Sequence, residues 1–233
     1  MVDTTHLELP FLAASQAQKH VTHNDALSRL DALVALAVLG RDLAAPPGTP
    51  SEGDRYIVAA GATGAWSGHD GKVVAFQDGV WAVFAPRAGW RAWVAEEGRI
   101  VTHNGTRWLD AIAASASEAT IDFHVVEEEI AVSSGAFVDS SVLIPDRAIV
   151  FGVSTRTTEA LTGATSYDCG IAGETGKFGA TLGVAAGSTN SGVIGPTAFY
   201  AATAVRLTAN GADFTGGKVR IAIHYMLCGV PAS

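Results

Sequence analysis

The chain has 233 residues, room for one large domain or two small ones. Only 16% are charged, against about 25% in an ordinary soluble domain, and the net charge is −8. An acidic chain without a basic stripe argues against nucleic acid as a partner, because phosphate neutralisation supplies most non-specific affinity. No apolar run approaches the roughly 18 residues of a membrane-crossing helix, so no membrane insertion is expected. Asp3 and Glu8 stand where a secretory leader would be positive, so none is expected.

Residues 1 to 45 read as a helical attachment and oligomerisation segment. Ser15 to Lys19 can make one or two helical turns, and Thr22 or Asn24 can cap a second helix. In that helix Leu27, Leu30, Leu33, Val34, Ala37 and Val38 recur at three- and four-residue steps, giving one apolar stripe. Gly40 is the expected stop, and Pro46-Pro47-Gly48 forbids a restart and should uncouple the helix from the β body. The stripe has no partner helix in the chain, which makes Leu27, Leu30 and Val34 the candidate attachment and oligomerisation residues.

Residues 50 to 110 read as a small β module that holds all five tryptophans, Trp66, Trp81, Trp90, Trp93 and Trp108. Asp78-Gly79 and Asn104-Gly105 lie between alternating apolar residues, the strongest short hairpin signal, because type I′ turns need positive φ twice. Residues 111 to 135 read as a linker, with a turn or two of helix over Ala111 to Ala119 and the Glu127-Glu128-Glu129 run as a solvated face. Residues 136 to 233 alternate short β-branched runs with glycines, including Ser141 to Ile144, Ile149 to Thr155, Phe178 to Ala185, Val205 to Leu207 and Val219 to Cys228. Seven or eight strands in that length suit a β-sandwich of jelly-roll type. The expected class is therefore mainly β: short amino-terminal helices, a Trp-rich β-meander and a carboxy-terminal sandwich.

The cassette from Leu9 to Leu33 resembles the amino-terminal block of an uncharacterised family encoded in tail-fibre and spike regions of phages and prophages of alphaproteobacteria, with members in gene transfer agents. The likeness continues through Glu52-Gly53-Asp54-Arg55-Tyr56-Ile57-Val58, Thr63-Gly64-Ala65-Trp66 and Ala88-Gly89-Trp90-Arg91-Ala92-Trp93, and from Ile144-Pro145-Asp146-Arg147 to Leu227-Cys228-Gly229. What it implies is a head-spike or tail-fibre protein on the surface of a phage-like particle, assembled in the cytoplasm. The amino-terminal segment would join a capsid or spike-base protein, and the chain would form a homotrimer. The resemblance brings no catalytic residues.

From Val132 to Ser233 six basic residues balance six acidic ones, so the sandwich is neutral and compatible with a polysaccharide partner. Tyr167, Asp168, Asn190 and Tyr200 are the candidate ligand-binding residues, with the hydroxyls of Ser188, Thr189 and Ser191 beside them. Two readings stand for Trp90 and Trp93, a stacking platform for sugar rings or core. Gly173-Glu174-Thr175-Gly176-Lys177 lacks the spacing of a phosphate loop and reads as a turn. His20 and His23 have helical spacing but no third ligand nearby, and no cofactor or metal motif is found. Cys169 and Cys228 can make one bridge at most, and free thiols are expected. His224 is placed in the last strand, oriented toward Asp168 if the two meet. Glu159, Asp168 and Glu174 are the only carboxylate pool for glycan cleavage, and nothing marks them as an acid–base pair. Non-enzymatic binding of host surface polysaccharide is the leading reading; a purely structural spike component and a glycan-degrading depolymerase are the rivals.

Overall fold

The structure, a computed structural model, describes residues 3–13 and 19–232. The chain is mainly β and splits into two compact units, residues 1–118 with 231–233, and residues 119–230.

The first unit opens with helix α1 (Lys19–Leu33). Eight short strands come after it: β1 (Ala37–Val38), β2 (Arg55–Ile57), β3 (Val73–Gln77), β4 (Val80–Phe84), β5 (Arg91–Val94), β6 (Arg99–His103), β7 (Trp108–Leu109) and β8 (Ala113–Ala114). The first seven build a sheet of order β1-β5-β6-β7 and a second of order β2-β3-β4. The helix is shorter than its apolar stripe. It stops at Leu33, Ala35 takes a left-handed φ of 49°, and Ala37 and Val38 pair in parallel with Trp93 and Val94 of β5. The physical reason is burial: Leu36 and Val38 join Ala32 in a core with Ile57, Val73, Phe84, Val94 and Val101, which a continued helix would deny them. The same packing corrects the expected division at residue 45, since the helical segment and the tryptophan module share one core.

Two buried side chains fasten this arrangement. The guanidinium of Arg55, 7% exposed, donates to the carbonyls of Ala32 and Asp31 at 3.1 and 3.4 Å and so caps the carboxy end of α1. Burial pushes its pKa down, and the nearby Asp31 opposes that shift. The Asp31 carboxylate, 2% exposed, accepts hydrogen bonds from the backbone N–H groups of His6 and Leu7, which straps the amino-terminal segment to the helix. Thr22 and Asn24, the two alternative caps expected, both lie inside the helix, which begins at Lys19. The Asn24 amide instead accepts from Leu12 N and donates to Leu12 O. The expected turn over Ser15 to Lys19 falls, up to Gln18, outside the described residues.

The β3–β4 hairpin turns at Asp78 and Gly79 with φ of 50° and 79°, the two positive values a type I′ turn demands. Asn104-Gly105 works differently. His103 pairs with Trp108 across a longer connection, in which Asn104 Oδ1 collects the N–H groups of Thr106 and Arg107. Trp66, fully buried, meets Tyr56 and Trp81 at ring separations of 5.5 and 5.0 Å and anchors a second small core with Val58 and Val74. Arg41, Glu97, Arg99 and Asp110 form an ion-pair network, in which Arg41 holds Glu97 through two hydrogen bonds of 2.5 and 2.8 Å.

The second unit runs through β9 (Thr120–Ala131), β10 (Phe137–Ile144), β11 (Ile149–Thr162), β12 (Ser166–Ile171), β13 (Glu174–Leu182), β14 (Thr189–Asn190), β15 (Val193–Ala198), β16 (Thr203–Asn210) and β17 (Gly216–Gly229). One sheet has the order β9-β17-β11, with β14 and β15 in succession along the far edge of β11; the other has the order β10-β16-β12-β13. All these pairings are antiparallel. Counting β14 and β15 as one interrupted strand, this is the order of a jelly roll, a ribbon wound into two facing sheets. Val150, Val153, Val219, Ile221 and Ile223 from one sheet meet Ile144, Phe178, Val205 and Leu207 from the other in a single core. Gly173 closes the β12–β13 hairpin, so the glycine-rich stretch around it is a turn. Both cysteines are free; burial pushes the Cys169 thiol up to about 12, while Cys228 is exposed.

The expected linker over 111–135 is corrected by β9, which pairs with β17 from Thr120↔Gly229 to Ala131↔Lys218. Three consecutive glutamates hide its alternation. Glu128 turns to the neighbouring edge, where its carboxylate accepts from Ser141 N, Ser141 Oγ and Val142 N at a bulge in β10. Glu129 pairs with Arg220 on the strand beside it. No helix forms over Ala111 to Ala119.

These contacts make three outcomes testable. A fragment of residues 119–230 will fold alone, whereas residues 136–233, which lack β9, will not; dispersed amide resonances in the first and their loss in the second is the check. Asp31→Ala, which orphans two N–H groups, will destabilise the first unit by about 2 kcal/mol in urea, monitored by tryptophan fluorescence, which reports that unit alone. Arg41 holds the Glu97 carboxyl below its ordinary value of 4.5. That contribution is present above the ordinary value and is lost as pH falls through the lowered one. The fluorescence-detected Tm will therefore drop as pH falls below the ordinary value of 4.5, with a shallower drop for Glu97→Gln.

Candidate ligand-binding groove

The outward face of the β9-β17-β11 sheet is not flat. Along β11 the register shifts between Val150 and Gly152 against both neighbours, a bulge. Gly152 stands opposite His224, and a Cβ there would lie 2.6 Å from Gly192 O. Gly192, at φ of 59°, would place a Cβ 1.8 Å from Val153 O. Only glycines permit this close crossing of the β14–β15 junction over β11. Beside this crossing lies a hollow of about 410 Å³ lined by Phe151, Gly152, Ser154, Ser191, Val193 and His224.

His224 reaches this face because it alternates with the buried Ile221, Ile223 and Tyr225 along β17. Its Nε2 lies 2.9 Å from Ser154 Oγ, one hydrogen bond between neighbouring strands. Phe151 faces Phe123 at 5.8 Å between ring centres, and Phe123, Val125 and Val193 are 54, 60 and 79% exposed. The hollow thus joins an aromatic and aliphatic wall to a hydroxyl–imidazole edge, and among the described residues its lining carries no carboxylate, lysine or arginine. Such a surface can stack on an apolar ring face and exchange neutral hydrogen bonds.

The four residues expected to bind ligand do not gather there. Tyr167 is 1% exposed; its hydroxyl donates to Thr155 Oγ1 at 3.0 Å and burial pushes its pKa up, so it is core rather than contact surface. Asp168 accepts from Thr181 N and Asn210 Nδ2 on the other sheet and does not meet His224. Asn190 donates to Phe178 O, tying β14 to β13. Tyr200 is 79% exposed, in the loop after β15. Of the hydroxyl run beside them, Ser191 lines the groove. Trp90 and Trp93, three apart, fall on opposite faces: Trp90 packs toward the core and Trp93 is 45% exposed, so they make no common platform. Leu27 is half-buried on α1, Leu30 is 51% exposed on the same helix, and Val34, in the turn just past its end, is 47% exposed.

Sequence reasoning passed over Phe151, Ser154 and Val193, and turned His224 toward Asp168 where its partner is Ser154. The available signals were a glycine inside the strand run at Ile149 to Thr155, which marks a bulge or close approach, and the outward parity of His224.

Residues 23–109 match the model of a family described as a protein of unknown function, DUF2793. No curated protein is significantly similar to this chain. Among solved structures, a chain of the cyanophage Pam1 capsid asymmetric unit is similar at 19% identity and a TM-score of 0.36, over 54% of this chain and 97% of that one.

Proposed function

We propose that this protein is a fibre or spike component of a phage-like particle and that its sandwich binds host surface polysaccharide without cleaving it. The observation that carries the binding role is the groove, where the Phe151 ring and the Ser154–His224 pair stand side by side on an open sheet face. Glycosidic cleavage uses two carboxyl groups some 5 to 10 Å apart, and the lining supplies none. Support for the particle role comes from the sequence blocks that resemble spike and fibre proteins. Each groove can bind weakly, because several copies on one particle multiply the affinity. Leu30 and Val34 supply an apolar face for self-association as a trimer, or for a capsid or spike-base protein.

The test is co-sedimentation of the full chain with purified capsule of the host. Ser154→Ala combined with His224→Ala will weaken binding at least tenfold, and Tyr200→Ala will leave it unchanged. Release of new reducing ends from the capsule would make the protein an enzyme and overturn the reading. Light scattering will give a trimer for the native chain. Leu30→Asp will give a monomer with an unaltered melting curve, since the side chain lies outside the core.

A further inference from the structure

The groove also bears on which sugar it takes. We infer that it selects a neutral sugar carrying a methyl group, an N-acetylhexosamine or a 6-deoxyhexose, over a plain hexose or an acidic sugar. The inference rests on the polysaccharide reading above and narrows it. The lining divides by chemistry. Ser154 Oγ, His224 Nε2 and Ser191 form a polar edge, and the Phe151 ring with Val193 forms an apolar wall across the bare backbone of Gly152. The serine hydroxyl bonded to the imidazole retains a lone pair, so the pair can still accept from a sugar hydroxyl.

A plain hexose set into this hollow would turn hydroxyls toward Phe151 and Val193, which offer them no partner, and would lose hydrogen bonds to water. A methyl group against the same wall removes apolar surface from water on both sides and is worth about fourfold in affinity. An acidic sugar would bring its carboxylate against an apolar wall, with neither lysine nor arginine in the lining to receive it. The acetamido methyl and the C6 methyl of a deoxy sugar offer the same chemistry, a compact apolar knob beside hydroxyls on one ring. The volume of about 410 Å³ lies in the range of small-ligand sites, roughly 300 to 1,000 Å³.

The experiment is saturation-transfer difference NMR on the full chain, with the methyl glycosides of N-acetylglucosamine, fucose, glucose and glucuronic acid. The expected result is the strongest saturation at methyl protons of the ring substituent: at the acetyl methyl if the ligand is acetamido, at C6 if it is deoxy. Glucose should be about fourfold weaker and glucuronate absent. Val193→Ser should reduce the methyl sugars to the level of glucose. Val193 is 79% exposed, so the variant keeps its fold, checked by an unchanged melting curve. Equal saturation for glucose and the methyl sugars, or a preference that survives Val193→Ser, overturns the inference. Co-sedimentation with host capsule, run in parallel, separates the two levels. Capsule binding without a methyl preference overturns only the choice of sugar, whereas absence of capsule binding overturns the polysaccharide reading beneath it.

Discussion

The long antiparallel ladder between β9 and β17 sets the geometry of the second unit. It joins the first strand of the sandwich to the last, from Thr120↔Gly229 to Ala131↔Lys218, so the ribbon of strands closes on itself. With β17 held on one side by β9 and on the other by β11, Val219, Ile221, Ile223 and Tyr225 must point inward. His224 must then point outward, because successive side chains alternate. The groove is the local consequence. One side chain is missing opposite His224, at Gly152, and the crossing strand drops close to β11 at Gly192. Neither glycine can be exchanged without moving backbone, so the crossing beside the hollow keeps its shape only with glycine at both positions.

With so few charges in the chain, the placement of each matters more than the total. Arg206 bonds Asp139 at 2.7 and 2.8 Å while its guanidinium lies 3.7 Å from the centre of the Phe137 ring, which ties β16 to the edge strand β10. Glu128 covers the bulged part of the same edge. Unpaired strand edges invite pairing with other chains, and a carboxylate seated on the free N–H groups removes that template. On the opposite edge Pro196 in β15 withholds a donor altogether. These devices leave the outward sheet face as the apolar surface still open, with Phe123, Val125 and Val193 upon it.

The class of fold was legible because period-two alternation and turn glycines are local signals. The jelly-roll reading from seven or eight short β-branched runs agrees with the observed strand order, and Asp78-Gly79 turned where its chemistry required. Boundaries were less legible where tertiary contacts overrule local pattern. Ala37 and Val38 continue the helical stripe in sequence, yet a parallel partner in β5 buries them better as strand. Glu127-Glu128-Glu129 looks like solvated chain, yet long-range partners for Glu128 and Glu129 turn it into strand. The site suffered for a related reason. A tyrosine near a loop reads as surface, but Tyr167 faces inward and finds Thr155 across the core. The groove depends on a bulge, and a bulge is a relation between two strands that one strand's residues only hint at.

The first unit shows how a single short helix can be made stiff without a second one. Arg55 seals the last turn of α1, Asp31 binds the segment ahead of it, and Asn24 holds Leu12 alongside. Ala32, just inside its carboxy end, sits in the core of the sheets. A helix of 15 residues alone is marginal in water, because nucleation is costly and few residues share it. Fixed on its inner side by these contacts, α1 holds Leu30 outward, with Val34 in the turn just beyond it, in a conformation ordered in advance. A partner meeting that face would not have to supply the free energy of folding the helix, and a small apolar contact could then suffice.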